Sequence, residues 1–345
     1  MVVRPNRLKE GDKVAVLSPS WGGPATFAHV FEIGLENLVQ LLGVGIQEYA
    51  TTRMAAQELY KNPKARADDL NHAFADPSIK AVFSSIGGDD SVRILPYLDL
   101  ETIRSNPKIL MGFSDTTTLT SLLNQHGLVT FNGPSVMAGF AQMKHLPTEY
   151  ANHVRAMLTE PQSTLLYEPY SVWTNENAEW ANPSCTGETS EQRTHEGWRW
   201  LQGEGQHQGR LFGGCIEVLE FMKATPFWPK PDFWRGRILF FETSEDKPSV
   251  AQVTWMLRNY GSMGALQQVA GLLFGRARSY DDQEKEQLYE ALVRVVREEF
   301  GLPNLPIVAN MDFGHTEPQF VLPLGVLAQI DCDGETVSLL EPAVN

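Results

Sequence analysis

Through the first 140 residues, short apolar runs alternate with stretches of helical periodicity. Lys13-Val14-Ala15-Val16-Leu17 is an apolar run closed by Ser18-Pro19, the pattern of a buried strand. Apolar residues then recur at helical spacing from Phe27 to Leu42 and stop at Gly43. Gly45–Tyr49 reads as a second strand, and Lys64–Ala75 as a helix stopped by Asp76-Pro77. Ala81–Ile86 is a strand running into Gly87-Gly88. Ile109–Phe113 is another, followed by Ser114 and a helix over Thr116–Gln125. Repeated strand–helix units predict an α/β fold whose sheet is mostly parallel and covered by helices.

The pattern breaks between about Leu158 and Gln208, which is polar and interrupted by prolines. This stretch also carries Trp173, Trp180, Trp198 and Trp200, half of the eight tryptophans, too heavy an aromatic load for a plain linker. It is expected to be a long loop that carries binding surface or packs over a cleft, or else to lay its rings on a core edge. Regular pattern resumes at Gly209. Phe212-Gly213-Gly214-Cys215 leads into a helix through Phe221, and Arg237–Phe241 is a strand ending at Glu242. A helix over Ser249–Tyr260, a strand over Val269–Phe274, a long amphipathic helix over Asp281–Glu299 and a strand over Ile307–Asn310 follow. Val321–Ala328 and Glu335–Leu340 read as closing strands. The expected division is therefore 1–157, a connecting segment 158–208, and 209–345.

Composition narrows the function. At 345 residues with 42% hydrophobic content, the chain has material for about two cored domains, which excludes wholesale disorder. The net charge of −14 repels phosphate backbones and anionic lipid, so neither a nucleic-acid polymer nor a membrane is an expected partner. Cys185, Cys215 and Cys332 are odd in number and far apart, which fits neither a disulfide framework nor a cysteine zinc site. The N-terminal stretch does not read as a signal peptide, and a cytoplasmic setting is expected. His195-Glu196 does not extend to HExxH, so no metal site is expected. Gly22-Gly23 lies in neither a GxGxxG motif nor a P-loop, and no cofactor is expected.

The sharpest local signal is Gly112-Phe113-Ser114-Asp115-Thr116, a serine leaving an apolar strand and entering a helix. Such an elbow exposes a nucleophilic Oγ beside the backbone N–H groups of a helix start. By itself the motif reads first as a plain N-cap serine. A serine nucleophile needs a base. Of eight histidines, His315 stands in a loop fixed by Gly314 and Pro318, and the others are expected at the surface. Glu242 ends an apolar strand, where a carboxylate is costly unless it serves something such as an imidazole. Ser114, Glu242, His315 and Gly87-Gly88 all follow predicted strands, and the C-terminal ends of parallel strands share one edge. Cys215, after two glycines at a helix start, is a weaker nucleophile candidate without an evident partner.

At these residues the sequence resembles the LD-carboxypeptidase family of serine peptidases, over nearly the whole chain. The matching stretches are Leu8–Asp12 with Ser18-Pro19-Ser20, Met111–Asp115, Phe241-Glu242-Thr243 and Phe313-Gly314-His315. The resemblance implies a Rossmann-like N-terminal domain, a smaller β-rich C-terminal domain and a homodimer. It implies Ser114 as nucleophile, His315 as base, Glu242 as its orienting acid, and an oxyanion hole from the N–H groups of Gly88 and Asp115. Ile86-Gly87-Gly88-Asp89 departs from the Arg-Gly-Gly-Tyr of cell-wall recycling members, and the tryptophan-bearing insert is more similar to the microcin C immunity (MccF) branch. That branch implies a peptidyl- or aminoacyl-nucleotide substrate, with Trp180 stacking on the base and Cys215 and Lys247 among the substrate-binding residues. Cys215 stands where many members have asparagine, a departure at the position that the MccF branch implies for binding the acyl-side residue. The alternatives are an enzyme that cleaves the L,D-bond of murein tetrapeptides and a non-catalytic small-molecule binding module.

Overall fold

The computed structural model describes residues 2–175 and 178–345. Its first sheet contains the strands read above, β1 (Lys13–Leu17), β2 (Gly45–Glu48), β3 (Ile79–Ser84) and β4 (Ile109–Gly112), and a fifth that the sequence reading did not mark, β5 (Thr130–Asn132). These five are parallel in the order 2-1-3-4-5, a doubly wound arrangement. Burial on both faces explains why β3 and β4 read as continuous apolar runs rather than as alternation. The order reverses between β1 and β3, so a crevice opens beyond their C-terminal ends, at Ser18–Trp21 and Gly87-Gly88. The helix Ala28–Leu42 ends as expected at Gly43, which takes a left-handed conformation (φ 65°).

Residues 158–208 are more ordered than a loop. They hold β6 (Leu165–Tyr167), β7 (Val172–Thr174), β8 (Gln192–Thr194) and β9 (Arg199–Gln202). Strands β7 and β8 pair with each other as a ribbon. The second sheet has four parallel strands at its centre: β10 (Gln206–Cys215), β11 (Arg237–Glu242), β12 (Gly271–Gly275) and β13 (Ile307–Met311). Strand β9 adds antiparallel to β13. The chain after β13 supplies β14 (Leu322–Leu324), β15 (Leu327–Asp331) and β16 (Thr336–Leu339). Antiparallel β15, β16 and β6 complete the far side of this eight-stranded sheet.

Further elements differ from the sequence reading. Val321–Ala328 is two strands, split at Gly325 (φ 88°). Strand β14 pairs with β5 of the first sheet, whereas β15 pairs with β10 of the second, so a single run ties the two sheets together. The helix expected over Asp281–Glu299 is α-helical only over Asp282–Val293 and continues as a π-helix over Arg294–Glu299. Its start was legible: Asp281 and Glu284 form a reciprocal capping box. No helix among the described residues is long and apolar enough to cross a membrane.

Candidate active site

The C-terminal ends of both parallel strand sets border one cavity of about 550 Å³. Ser114 and Gly87-Gly88 come from the first sheet, and Glu245, Arg278, His315 and Glu317 from loops of the second. The sequence reading placed the candidates on one sheet edge; the structure distributes them over two sheets that border the same cavity.

Ser114 directly follows the turn out of β4 and has φ 57°, a strained left-handed conformation for a residue with a side chain. Small neighbours make this elbow possible. A Cβ at Gly112 would lie 2.1 Å from Ser84 Oγ, and one at Gly87 would lie 2.8 Å from Ser114 Oγ. Gly88 has φ 148°, and a Cβ there would meet Ser20 Oγ at 2.2 Å. Both glycines therefore let the β3 loop approach the serine turn, with Asp115 N 3.3 Å from the Gly87 Cβ position. The buried Asp115 carboxylate accepts the Ser91 N–H at 2.8 Å, and Ser91 Oγ donates to the Asp115 carbonyl at 2.7 Å, which pins the turn. Burial pushes the Asp115 carboxyl above its ordinary value.

His315 Nδ1 lies 2.6 Å from Glu242 Oε2, and Glu242 is fully buried at the end of β11. The imidazole also packs edge-on against Phe113, with ring centroids 4.9 Å apart. On its other side, Nε2 is 3.0 Å from Glu245 Oε2 but without an aligned hydrogen bond. Burial acts to lower the His315 pKa, yet the two carboxylates outweigh it and raise the value to about 10. Glu245 is correspondingly held down at about 2 by its contact with His315. Among the described residues no hydrogen bond joins Ser114 Oγ to His315, although both line the cavity.

Trp180 lines the cavity, half-buried, with its ring edge-on to Phe27 at 5.8 Å and its carbonyl 2.9 Å from His29 Nε2. The polar run before it includes Glu176 and Asn177, which lie outside the described residues. The other insert tryptophans serve the scaffold. Trp173 is buried beneath Arg276, whose guanidinium carbon is 4.7 Å from the ring centroid. Trp198 Nε1 donates to Asp312 at 2.9 Å, and Trp200 is half-buried on β9. Asp312 also takes Arg276 at 2.7 Å and His195 Nε2 at 3.1 Å. His195 is thus a buried anchor of the insert, which corrects the expectation of a surface residue. His153 is half-buried, its pKa lowered to about 4 by desolvation, and it accepts the Val321 N–H at 2.9 Å.

Cys215 is fully buried, with its N–H donated to Thr117 Oγ1 at 3.2 Å and its Sγ 3.5 Å from Glu217. Burial raises its thiol pKa well above the ordinary value, the opposite of an activated nucleophile. Lys247 pairs with Glu284 at 2.9 Å, and neither Cys215 nor Lys247 lines the cavity. Residues that sequence reasoning missed do line it: Trp21, Glu245, Arg278 and Glu317. Glu317 is buried, holds Gln319 Nε2 on one oxygen at 2.9 Å and leaves the other without a hydrogen bond. Burial raises its pKa to about 7 despite that hydrogen bond and the charge of His315. Only its place two residues beyond His315 could have pointed to it. Among the described residues no cluster of acids, histidines and cysteines is arranged to hold a metal ion.

Models of two LD-carboxypeptidase domains match the chain: the N-terminal domain over residues 14–133 and the C-terminal domain over residues 208–330. The microcin C7 self-immunity protein MccF of Escherichia coli is 27% identical over 339 residues, 97% of this chain and 94% of that protein. A murein tetrapeptide carboxypeptidase of Pseudomonas aeruginosa is 32% identical over 123 residues, 35% of this chain and 39% of that one. Among solved structures, MccF in complex with aspartyl sulfamoyl adenosine superposes with a TM-score of 0.86 at 27% identity, covering 99% of this chain and 100% of that chain. An MccF-like protein from Streptococcus pneumoniae in complex with AMP gives 0.84 at 29% identity, covering 95% and 98%.

Proposed function

Because the chain belongs to the LD-carboxypeptidase family and is a serine-type carboxypeptidase of the MccF-like kind, we propose that it hydrolyses the amide bond of a peptidyl- or aminoacyl-nucleotide conjugate. In this reading Ser114 Oγ attacks the scissile carbonyl while His315 takes its proton and returns it to the departing amine. Glu242, at 2.6 Å from Nδ1, holds the imidazole so that Nε2 is the working nitrogen. The Gly88 and Asp115 N–H groups receive the oxyanion, and water then frees the acyl group from Ser114. The strained serine beside a carboxylate-bound histidine carries the hydrolase part of the reading. His315 must still turn from Glu245 to Ser114 Oγ, a tightening that substrate binding commonly brings. A homodimer working in the cytoplasm completes the proposal.

The nucleotide part is carried by Trp180, an aromatic face on the cavity wall beside Trp21. Stacking of a base on such a ring is worth roughly 1–3 kcal/mol. Trp180→Ala is therefore expected to raise KM for an aspartyl-adenylate analogue about tenfold to a hundredfold and to leave cleavage of an L,D-linked tetrapeptide unchanged. Steady-state kinetics on both substrates, with a melting curve of the variant, makes the test. A stable variant with unchanged KM on the nucleotide conjugate would favour the murein reading instead. That reading draws its support from the murein tetrapeptide carboxypeptidase relative.

A further inference from the structure

The ionisable lining of the cavity is one-sided. Asp89, Glu245, Asp246 and Glu317 place four carboxyl groups on it, against Arg278 and the carboxylate-bound His315. The other cations around the cleft are already committed. Arg66 holds Asp90 through both terminal guanidinium nitrogens at 2.6 and 3.0 Å, and Arg93 takes the same carboxylate at 2.7 Å. Arg276 is spent on Asp312 at 2.7 Å and Lys247 on Glu284 at 2.9 Å. Arg278 is half-buried on the cavity wall and has neither a hydrogen bond nor an ion pair among the described residues. Its charge nevertheless reaches Glu245 and Glu317 and acts in the lowering direction on each, though burial still leaves Glu317 raised.

Arg278 is also firmly placed. It leaves the C-terminal end of β12, and the next residue, Ser279, has φ 61°. The Ser279 N–H donates to Asn175 Oδ1 at 2.7 Å, and Asn175 Nδ2 donates to Ser279 Oγ at 3.1 Å. These bonds tie the backbone beside Arg278 to the root of the segment that carries Trp180. A guanidinium that serves only the fold is normally paired with a carboxylate; one held open to a cavity presents its planar fork to a ligand oxyanion.

We propose that Arg278 is the specificity residue for the leaving unit: it binds the negative charge next to the scissile amide. This rests on the serine hydrolase reading above. The ligand chemistry is an oxyanion within a few bonds of the departing nitrogen, supplied either by the phosphoryl or sulfamoyl link of a nucleotide conjugate or by the terminal carboxylate of a peptide. Arg278 takes no part in bond making or breaking. It offsets the four cavity carboxyls that would otherwise repel such a substrate.

The test compares substrates in charged and neutral pairs. One pair is an aminoacyl sulfamoyl adenosine and the matching aminoacyl amide of 5′-amino-5′-deoxyadenosine. The other is an L,D-linked tetrapeptide with a free terminal carboxylate and its carboxamide. Arg278→Gln is expected to lower kcat/KM for the anionic member of the cleaved pair about tenfold to a hundredfold, through KM. The neutral member should change less than about twofold, and Arg278→Lys should recover part of the loss. Which pair responds identifies the source of the anion. Equal losses on charged and neutral members, or no loss on either, would overturn the assignment while leaving the hydrolase reading in place. Wild-type protein that cleaves neither pair would remove that reading, and this inference with it.

Discussion

Ser114→Ala is expected to lower kcat by roughly a millionfold, leaving a residual rate about a thousandfold over water from the oxyanion and binding contributions. The expectation follows from the unusual position the serine holds. Its φ of 57° is retained only because glycines at 87 and 112 clear the space around the turn. The Asp115–Ser91 bonds keep the turn fixed whether or not an Oγ is present. Alanine carries the same backbone strain as serine, so the folded state should melt within a few degrees of the wild type. The measurement is single-turnover hydrolysis together with covalent labelling by a fluorophosphonate. Wild-type protein should be labelled at Ser114 and the variant not at all. Undiminished turnover in the variant would end the mechanism, and an unreactive Ser114 in wild-type protein that binds ligand would favour a binding module.

Much of this site was legible because its residues sit where strands stop. Apolar runs such as Val14–Leu17, Ala81–Ser84 and Ile238–Phe241 announce buried parallel strands, and chemistry-bearing residues directly after them fall at a sheet edge. Ser114, Glu242 and His315 were singled out as candidates in that way. What local pattern does not carry is which strands pair. It gave no sign that the edge is shared by two sheets, or that Gly325 divides one apolar run between them. The short strands of residues 158–208 have no pattern of their own and exist through pairing partners such as β13 and β16. Side chains that meet only through tertiary structure were hidden for the same reason. His195 looked like a surface residue because Asp312 is far away in sequence, and Lys247 looked available because its pairing with Glu284 was invisible. Arg278 and Glu317 follow strands too, but their surroundings, not their spacing, give them meaning.

Glu242→Gln should reduce kcat about ten-thousandfold with little change in KM, because the substrate does not touch this side chain and only the imidazole depends on it. A glutamine fits the space but no longer obliges Nδ1 to carry the proton, and it offers no charge to the imidazolium formed during attack. The pH profile makes the assignment specific. In the ligand-free arrangement Glu242 and Glu245 together hold His315 protonated up to about 10, outweighing burial, and a protonated imidazole cannot accept the Ser114 proton. For the free enzyme, kcat/KM should therefore rise with pH along a limb that ends near that value and be lost as pH falls through it. Both Glu242→Gln and Glu245→Gln remove one of the carboxylates that hold the charge, so both should move the limb to lower pH. They should differ in height. Glu245 faces Nε2, the nitrogen that has to reach Ser114, so Glu245→Gln should keep its plateau rate and gain activity near neutral pH, whereas Glu242→Gln loses the plateau. The stability of the fold carries the same signature. His315 is raised above its ordinary 6.5, so its stabilising contribution is complete below that value and is lost as pH climbs toward 10. In Glu245→Gln that decline should be smaller and finish earlier. Urea unfolding across this range and kcat/KM profiles of the three proteins decide the matter: a limb that stays in place in both variants would show that His315 is not the group that titrates.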